Sequence, residues 1–374
     1  MAWTALSGLA PVYPLYALLF LDTGLTEPQV SALFALWSLT ALVAEVPTGV
    51  LADRWSRRGA LVLGGVLEAV GFVLWTVTPG LAGFAAGFVV WGVGGALVSG
   101  AAEALVYDGL AAAGAEDAYV RVNGAMTAAE LLVQVPTAVL AGLLVQAGGY
   151  ALVGWVSVGT CLAAAGLATR FPEPPRTADD DGPEVPLRTA VGTALRRPGV
   201  LLAVAAVALL GSLDAIEEYF PLMARDQGVP TAVVPAAVLV VALTGAAGAA
   251  LAGRAARLPS RALPLLLLAS AVLLAAGALA DGLPAVAAVA VSYGLYLAVL
   301  VVGEARLQER LPAAVRATVT SVAGLGIELG ALLVFAAWAL DGALAVAVLF
   351  ALVAAVTSSA FRPTPRPGAV PDRR

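Results

Sequence analysis

Residues 45–58 read Glu45-Val46-Pro47-Thr48-Gly49-Val50-Leu51-Ala52-Asp53-Arg54-Trp55-Ser56-Arg57-Arg58, and they separate two long apolar segments. One aspartate and three arginines fall within the last six positions of this stretch. Charged side chains are costly in the hydrocarbon core of a bilayer, so such a stretch is typical of a loop at the membrane surface. The stretch therefore predicts a short charged turn between two membrane-spanning helices.

The composition of the whole chain supports a membrane protein. Apolar residues make up 61% of it and charged residues only 12%, against roughly 25% charged in a soluble globular protein. All twenty basic residues are arginine, histidine is absent, and Cys161 is the single cysteine. These absences remove imidazole ligands, a Schiff-base lysine, disulfides and multi-cysteine metal sites. We expect neither an enzyme nor a nucleic-acid-binding protein, and no metal or other cofactor.

Twelve apolar segments of the chain approach or exceed the roughly 20 residues needed to cross a bilayer. They are bounded by arginine, proline, glycine and acidic clusters. The predicted spans are 3–22, 29–52, 59–79, 82–108, 119–147, 150–170, 198–223, 230–254, 261–280, 283–308, 314–340 and 342–361.

The arginines indicate how these spans are oriented. With twelve spans, every arginine except Arg225 falls on one face of the membrane. Basic loops remain in the cytoplasm, according to the positive-inside rule. The sequence therefore predicts a multi-pass protein of the cell (plasma) membrane with both termini in the cytoplasm.

The polar segments divide the chain into domains. Residues 171–197 contain five prolines and an acidic run, which predicts a cytoplasmic linker, and residues 362–374 are typical of a disordered cytoplasmic tail. The predicted domains are then a six-helix bundle at 1–170 and a second six-helix bundle at 198–361.

The two predicted bundles carry related sequences. The tetrapeptide Leu-Ala-Asp-Arg at 51–54 is repeated as Leu-Ala-Gly-Arg at 251–254, an offset of 200 residues. The segment at 103–110 is related to that at 304–311, at an offset of 201 residues. Matches in the same order at nearly constant offset indicate duplication of a six-helix unit, the plan of one large class of transporters.

The loop at 45–58 resembles the signature of the major facilitator superfamily, Gly-x-Leu-Ala-Asp-Arg-x-Gly-Arg-Arg, found between helices 2 and 3. Ser56 stands where glycine is usual, and the matching residues are Gly49, Leu51, Ala52, Asp53, Arg54, Arg57 and Arg58. The resemblance implies an all-α integral membrane fold of twelve helices in two pseudo-symmetric bundles, with a drug-efflux-like activity. It also implies a gate that stabilises the outward-facing state, formed by Gly49, Asp53, Arg54, Arg57 and Arg58. Glu45, two turns before Asp53, is expected to belong to that gate.

Two features of drug exporters in this superfamily are missing. Their fourth helix often carries an arginine, which residues 88–92 lack. Their fifth helix usually contains Gly-Pro-x-x-Gly-Gly, whereas this chain reads Val135-Pro136-Thr137-Ala138. The resemblance therefore indicates the superfamily and leaves the antiport mechanism open.

Acidic residues inside predicted spans are candidates for substrate or proton binding, because ionisable groups in a membrane are usually functional. Glu130 and Glu328 lie near the midplane of equivalent helices of the two halves, and Gln134 is one turn beyond Glu130. Asp214, Glu217 and Glu218 on helix 7 form a second candidate, an outer proton or cation station. The alternative is that the two glutamates of that cluster only reach the lipid headgroups.

A further group of charged residues lies near the arginine-rich ends of the helices. Pairing between opposite charges is the predicted role of Glu103, Asp108, Glu304 and Arg306. Glu68, within the third span, has no partner that the sequence identifies.

The sequence favours a monomeric secondary active transporter that works by alternating access. We expect proton-coupled efflux of a small hydrophobic compound, neutral or cationic. Proton-coupled uptake of a small metabolite is the alternative, although Asn123 is the only asparagine and sugar sites usually need several amides. An integral membrane enzyme or receptor is the third possibility.

Overall fold

The computed structural model describes residues 1–173, 198–259, 261–311 and 313–360, and this part of the chain is helical without a β-strand. We number the spans α1–α12 in chain order. Their bounds are α1 Ala2–Gly8 with Tyr16–Asp22, α2 Glu27–Arg54, α3 Arg57–Val77, α4 Leu81–Ala112, α5 119–147, α6 150–168, α7 Pro198–Ser212 with Leu213–Tyr219 and Phe220–Asp226, α8 Val234–Ala250, α9 Ala262–Ala278, α10 Gly282–Arg310, α11 313–340 and α12 343–360. Two short helices, Glu116–Ala118 and Ala252–Ala255, lie in the connections.

The predicted number of spans is confirmed. Seven of the described helices are long and apolar enough to cross a membrane. Two of those seven contain a non-helical break and supply two spans each, α5 with α6 and α11 with α12. The apolar helices α8 and α9, of 17 residues each, and the interrupted α1 complete the twelve.

The first span is not the continuous helix predicted over 3–22. It ends at Gly8 and resumes at Tyr16, and the residues between form turns. Pro11 and Pro14 lie in this break. Proline lacks a backbone N–H and its ring clashes with the preceding turn, so two prolines three residues apart interrupt the helix.

The seventh span also departs from a regular α-helix. Residues Leu213–Tyr219 form a 3₁₀-helix between two α-helical pieces. Pro221 accounts for this change, because its ring disfavours the α-helical bond that would end at the carbonyl of Glu217. The helix predicted over 198–223 is therefore not a regular α-helix at the acidic cluster. In a 3₁₀-helix side chains three residues apart are eclipsed, so Asp214 is aligned with Glu217.

The two halves share a structural repeat that the aligned sequences did not reveal. The α5–α6 turn contains Gly148 followed by Gly149, whose φ is 63°. The α11–α12 turn contains Asp341 followed by Gly342, whose φ is 55°. Both turns thus use a glycine with positive φ at the same place in each half, as expected of a duplicated unit.

Glycines allow α3 and α4 to pack closely in the N-terminal half. A Cβ atom at Gly64 would lie 2.8 Å from the carbonyl oxygen of Gly94, and one at Gly71 would lie 2.9 Å from that of Gly87. Larger side chains would force the helices apart at both levels. The glycine-rich runs of α4 therefore serve helix packing.

The predicted linker and tail lie largely outside the described residues. Of the linker at 171–197, the structure describes only 171–173, and it describes none of the tail at 362–374. The proposed division of the chain into domains remains a prediction.

Candidate functional site

A cavity of about 360 Å³ lies between the two halves of the molecule. It is lined by the broken part of α1, by α4 and α5 of the N-terminal half, and by α7 and α8 of the C-terminal half. Its polar lining includes Glu130, Gln134, Glu217 and Glu218. We call it the first interface cavity. It unites four of the six predicted substrate or proton residues.

A second cavity, of about 380 Å³, adjoins the first and is also lined by Glu217 and Glu218. It lies among α2, α7, α10 and α11, and we call it the second interface cavity. Its other acidic lining residues are Asp214, Glu304 and Glu328. The shared glutamates make the 3₁₀ segment of α7 the boundary between the two cavities.

Hydroxyl groups orient two of these carboxylates. Ser38 of α2 donates a hydrogen bond to Glu328 Oε2 at 3.0 Å, and Tyr293 of α10 donates to Asp214 Oδ1 at 3.0 Å. A carboxylate that accepts hydrogen bonds is held in one rotamer, which fixes the position of its charge. Both acids thus have defined positions in the wall of the second interface cavity.

Stacked aromatic rings connect the two cavities. Trp91 lines the first and Trp37 the second, and their ring centroids are 5.0 Å apart at an interplanar angle of 15°. Tyr13 stacks on Trp91 with a centroid separation of 5.5 Å. Aromatic faces attract apolar groups and cations. The aromatic wall and the carboxylates therefore both attract cations.

The halves are joined at the face opposite to the arginines. Arg225 of α7 forms an ion pair with Asp22 of α1 at 2.9 Å. Within the N-terminal half, Tyr150 of α6 donates to the same Asp22 at 2.6 Å and so supports this ion pair. Trp338 of α11 donates to Glu27 of α2 at 2.8 Å. These contacts and those of the next paragraph form the outer seam.

Tyr219 completes the outer seam at a deeper level. Its hydroxyl donates to Ser31 of α2 at 2.8 Å. Its ring stacks on Trp338 at a centroid distance of 4.0 Å and meets Phe34 edge-on. The seam therefore extends into the buried interior between α2, α7 and α11.

Burial falls towards the arginine-rich face. On α2, side chains such as Val30 and Phe34 are fully buried, whereas Val46 is 73% exposed. On α5, the first buried side chain among those described is Val133, and Glu130 is exposed. Side chains of α2 and α5 are thus more exposed near the arginine-rich face than near the outer seam, although a buried cluster that includes Ala52, Leu61 and Leu105 lies at the arginine-rich end.

The contacts described for the charged loop lie within the N-terminal half. Arg57 forms an ion pair with Asp108 at the end of α4. Arg58 donates to the carbonyl of Phe171 at 3.2 Å and lies 3.9 Å from Glu173. The side chain of Asp53 is outside the described part, so its predicted gating contact stays a prediction.

Ser56, which departs from the superfamily signature, has a local role. Its hydroxyl accepts a hydrogen bond from the backbone N–H of Gly59 at 2.7 Å and so caps the N-terminus of α3. It also donates to Glu173 at 2.7 Å. Serine therefore starts α3 and binds the segment that follows α6.

The remaining candidate residues are not gathered at the interface cavities. Glu45 and Glu103 are exposed on α2 and α4, and neither lines a described cavity. Glu68 lines a separate cavity in the N-terminal half. Asp108 forms an ion pair with Arg57, and the predicted charge-pairing role of this group stays a prediction.

Sequence reasoning missed the seam residues. Ser31 and Tyr219 are uncharged, and they lie 188 positions apart in the chain. Asp22 and Arg225 offered a usable signal, because Arg225 is the single arginine on its face. A single arginine on that face is a signal to search for an acidic partner, which the structure shows to be Asp22.

The family comparison covers most of the chain. The sequence model described as Major Facilitator Superfamily matches residues 1–335. The comparison with curated proteins found no match.

Solved structures share the fold over nearly the whole chain. A point variant of the nucleoside transporter NupG superposes with a TM-score of 0.75 at 14% identity, over 96% of this chain and 98% of the other. A bacterial homolog of the human lysosomal transporter Spinster, inward-facing and unoccupied, gives 0.70 at 15% identity, over 96% and 91%. A D-xylose–proton symporter gives 0.69 at 15% identity, over 97% of each chain. These identities support the fold alone.

Proposed function

The chain belongs to the major facilitator superfamily, and from this premise we propose that it exports a small hydrophobic molecule, neutral or cationic, in exchange for protons. Membership makes it a multi-pass membrane transporter rather than an enzyme. Direction, substrate and coupling ion are the parts that we propose.

The acidity of the interface cavities carries the proposal. Glutamates and one aspartate provide every charged side chain in the described lining of the two cavities, and none of that lining is basic. Away from bulk water, Coulomb interactions are stronger than in solution, so the cavities attract positive charge. The stack of Tyr13, Trp91 and Trp37 adds an apolar and π-rich surface. A lipophilic cation satisfies both features.

The same carboxylates provide a route to proton coupling. A glutamate holds either a proton or, when ionised, a nearby cationic substrate, so the two ligands compete. Glu217 and Glu218 line both cavities, and we propose that this competition occurs there. Protons entering down their gradient would then displace the substrate.

The outer seam supports alternating access as the transport cycle. Contacts join the halves at the face opposite to the arginines, whereas burial falls towards the arginine-rich face. Breaking the seam while the other face closes would change the side of the membrane to which the cavities are open. We propose that the arginine-rich face is cytoplasmic, that the membrane is the cell membrane, and that the monomer is the transporting unit.

Uptake by proton symport is the alternative. One structural neighbour is a D-xylose–proton symporter, but likeness at this identity concerns the fold. Gln134 is the only amide in the described lining of the two interface cavities, and a polyhydroxylated substrate usually needs several hydrogen-bonding partners. The lining therefore favours a less polar substrate.

Transport by purified protein in liposomes tests the proposal. The liposomes are loaded with tetraphenylphosphonium, a proton gradient is imposed in the direction that drives exchange, and the passive leak of this membrane-permeant cation from protein-free liposomes is subtracted. We expect efflux that depends on the gradient and that is lost in the Glu130→Gln, Glu328→Gln double variant. The matched control is Glu309→Gln, an exposed acid that lines no described cavity.

Two results would contradict the assignment. Gradient-driven efflux that survives intact in the double variant would exclude these two glutamates from coupling. Gradient-driven accumulation of the substrate on the side into which protons flow would establish symport instead.

A further inference from the structure

A third cavity, of about 240 Å³, lies inside the N-terminal half. It is enclosed by α1, α3, α4, α5 and α6, and we call it the N-half cavity. Its polar lining consists of side chains from α1, α3 and α5, namely Thr4, Ser7, Tyr13, Glu68 and Glu130. At roughly 30 Å³ for each water molecule, this volume holds an ion together with several waters.

Thr4 is one of the residues that line this cavity, and its hydroxyl group is buried. The residue is 2% exposed, and its hydroxyl oxygen has no hydrogen-bond partner among the described residues. The buried threonines Thr137 and Thr357 instead donate to carbonyls of the preceding turn, at 2.7 and 2.8 Å. A buried hydroxyl without a partner is costly, so the position calls for a ligand.

The break in α1 lies beside the same cavity. Ser7 and Gly8 line it from one side of the break, and Tyr13 lines it from within the break. Non-helical backbone at membrane depth is tolerated where it lines a cavity. In other transporters, carbonyls of such discontinuous helices bind cations.

Glu68 provides a carboxylate in the lining of the N-half cavity. Among the described residues it forms no ion pair and donates or accepts no side-chain hydrogen bond, although it lies in the middle of α3. An ionised carboxylate in such a place is stable only with a compensating positive charge. The lining of the N-half cavity contains no basic residue.

We propose that the N-half cavity binds a monovalent cation, represented by Na⁺, with Glu68, the Thr4 hydroxyl and the α1 break as its oxygen donors. Carboxylate, hydroxyl and carbonyl oxygens are hard ligands, suited to a hard cation. No group of three or more acidic, histidine or cysteine ligands exists among the described residues, which disfavours Ca²⁺ and other divalent ions.

The ion site is connected to the proposed substrate site. Gly8, Tyr13 and Glu130 line both the N-half cavity and the first interface cavity. An ion bound beside the break would fix α1 relative to α3 and so influence the shape of the first interface cavity. Binding of the ion does not depend on the proposed function, whereas its role in transport does. The two properties are therefore measured separately.

Binding of radiolabelled Na⁺ to the full-length protein in nanodiscs tests the site, at neutral and at alkaline pH. We expect saturable binding that Glu68→Gln abolishes. Thr4→Val, which keeps the shape of the side chain, is expected to weaken binding about tenfold, as found when groups supporting a metal site are removed. If the Thr4 hydroxyl were merely structural, valine would leave Na⁺ binding unchanged.

Matched variants guard against general effects of substitution. Glu309→Gln removes an exposed carboxylate, and Thr244→Val removes a hydroxyl that donates to its own helix. Both are expected to bind Na⁺ as the parent does. Folding of each variant is checked by size-exclusion chromatography.

Three results would overturn the inference. They are absence of saturable Na⁺ binding at both pH values, binding that persists in folded Glu68→Gln protein, and displacement of Na⁺ by an equal concentration of Ca²⁺. Absence of Na⁺ binding in unsubstituted protein that still transports the substrate would refute the ion site alone. Na⁺ binding without any substrate transport would refute the proposed function and leave the ion site standing.

Discussion

Ser38 of α2 and Glu328 of α11 are joined across the two halves by a hydrogen bond of 3.0 Å, with the serine as donor. The two residues lie 290 positions apart in the chain. Glu328 also lines the second interface cavity. The carboxylate of a candidate transport residue is thus part of the connection between the halves, so its protonation or its contact with a substrate would change that connection.

A double-mutant cycle on Ser38→Ala and Glu328→Gln measures this hydrogen bond. A bond to a charged acceptor contributes about 1.5–3 kcal/mol, so we expect the two substitutions together to lower the melting temperature less than the sum of their separate effects. Thermal unfolding of the four purified proteins, in detergent at neutral pH, gives the comparison. Additive effects would mean that the contact contributes nothing to stability.

Opening of the outer seam is expected in Arg225→Gln, because Asp22 then loses its ion pair and keeps only the Tyr150 hydroxyl. The change is measured as labelling of Ser31→Cys by a membrane-impermeant maleimide. The native Cys161 is 2% exposed and gives little background. An exposed ion pair contributes about 0.2–1 kcal/mol, which corresponds to a rise in labelling of up to roughly fivefold.

Arg170→Gln, at the arginine-rich face, is the control for this measurement. It removes the same charge at a site that is exposed and distant in the chain from the seam. Equal labelling in Arg225→Gln and Arg170→Gln would show that the ion pair does not hold the outer seam closed.

Much of the fold was predictable because its signals are local. The length of each apolar segment gives the spans, and the arginines give their direction, so residues such as Arg121 and Arg254 lie at the ends where they were expected. Pro11 and Pro14 also provided the information needed to break α1. Their effect was missed because hydropathy alone does not distinguish a helix from an apolar turn.

The candidate site was less predictable, because its geometry depends on contacts distant in the chain. Glu130 lines the first interface cavity, and its role in transport stays a prediction. The cavity at Glu68 requires five helices to pack around a space, and no local pattern encodes that space. The 3₁₀ turn that aligns Asp214 with Glu217 depends on Pro221, whose influence extends four residues back along the chain.

The two glycine turns offer a test of the repeat. Gly149 has φ 63° and ψ −164°, and Gly342 has φ 55° and ψ −142°, in a region that side chains other than glycine rarely adopt. Alanine at either position is expected to cost about 1–3 kcal/mol and to lower the melting temperature. Gly159→Ala, at an exposed helical position with free space around it, should be neutral or stabilising. Melting curves that do not separate the two classes would contradict this account of the turns.

The preference of the protein for positively charged ligands over uncharged ones should depend on Glu217, which lines both interface cavities. Glu217→Gln removes one charge while keeping the size of the side chain. At an effective dielectric of 20, two unit charges about 4 Å apart interact by about 4 kcal/mol. Solvation of the cavity reduces that value, and we expect about tenfold weaker binding of tetraphenylphosphonium, equivalent to about 1.4 kcal/mol. Binding of the uncharged isostere tetraphenylmethane should be unchanged. Equal weakening of both ligands would indicate that the glutamate shapes the cavity without selecting for charge.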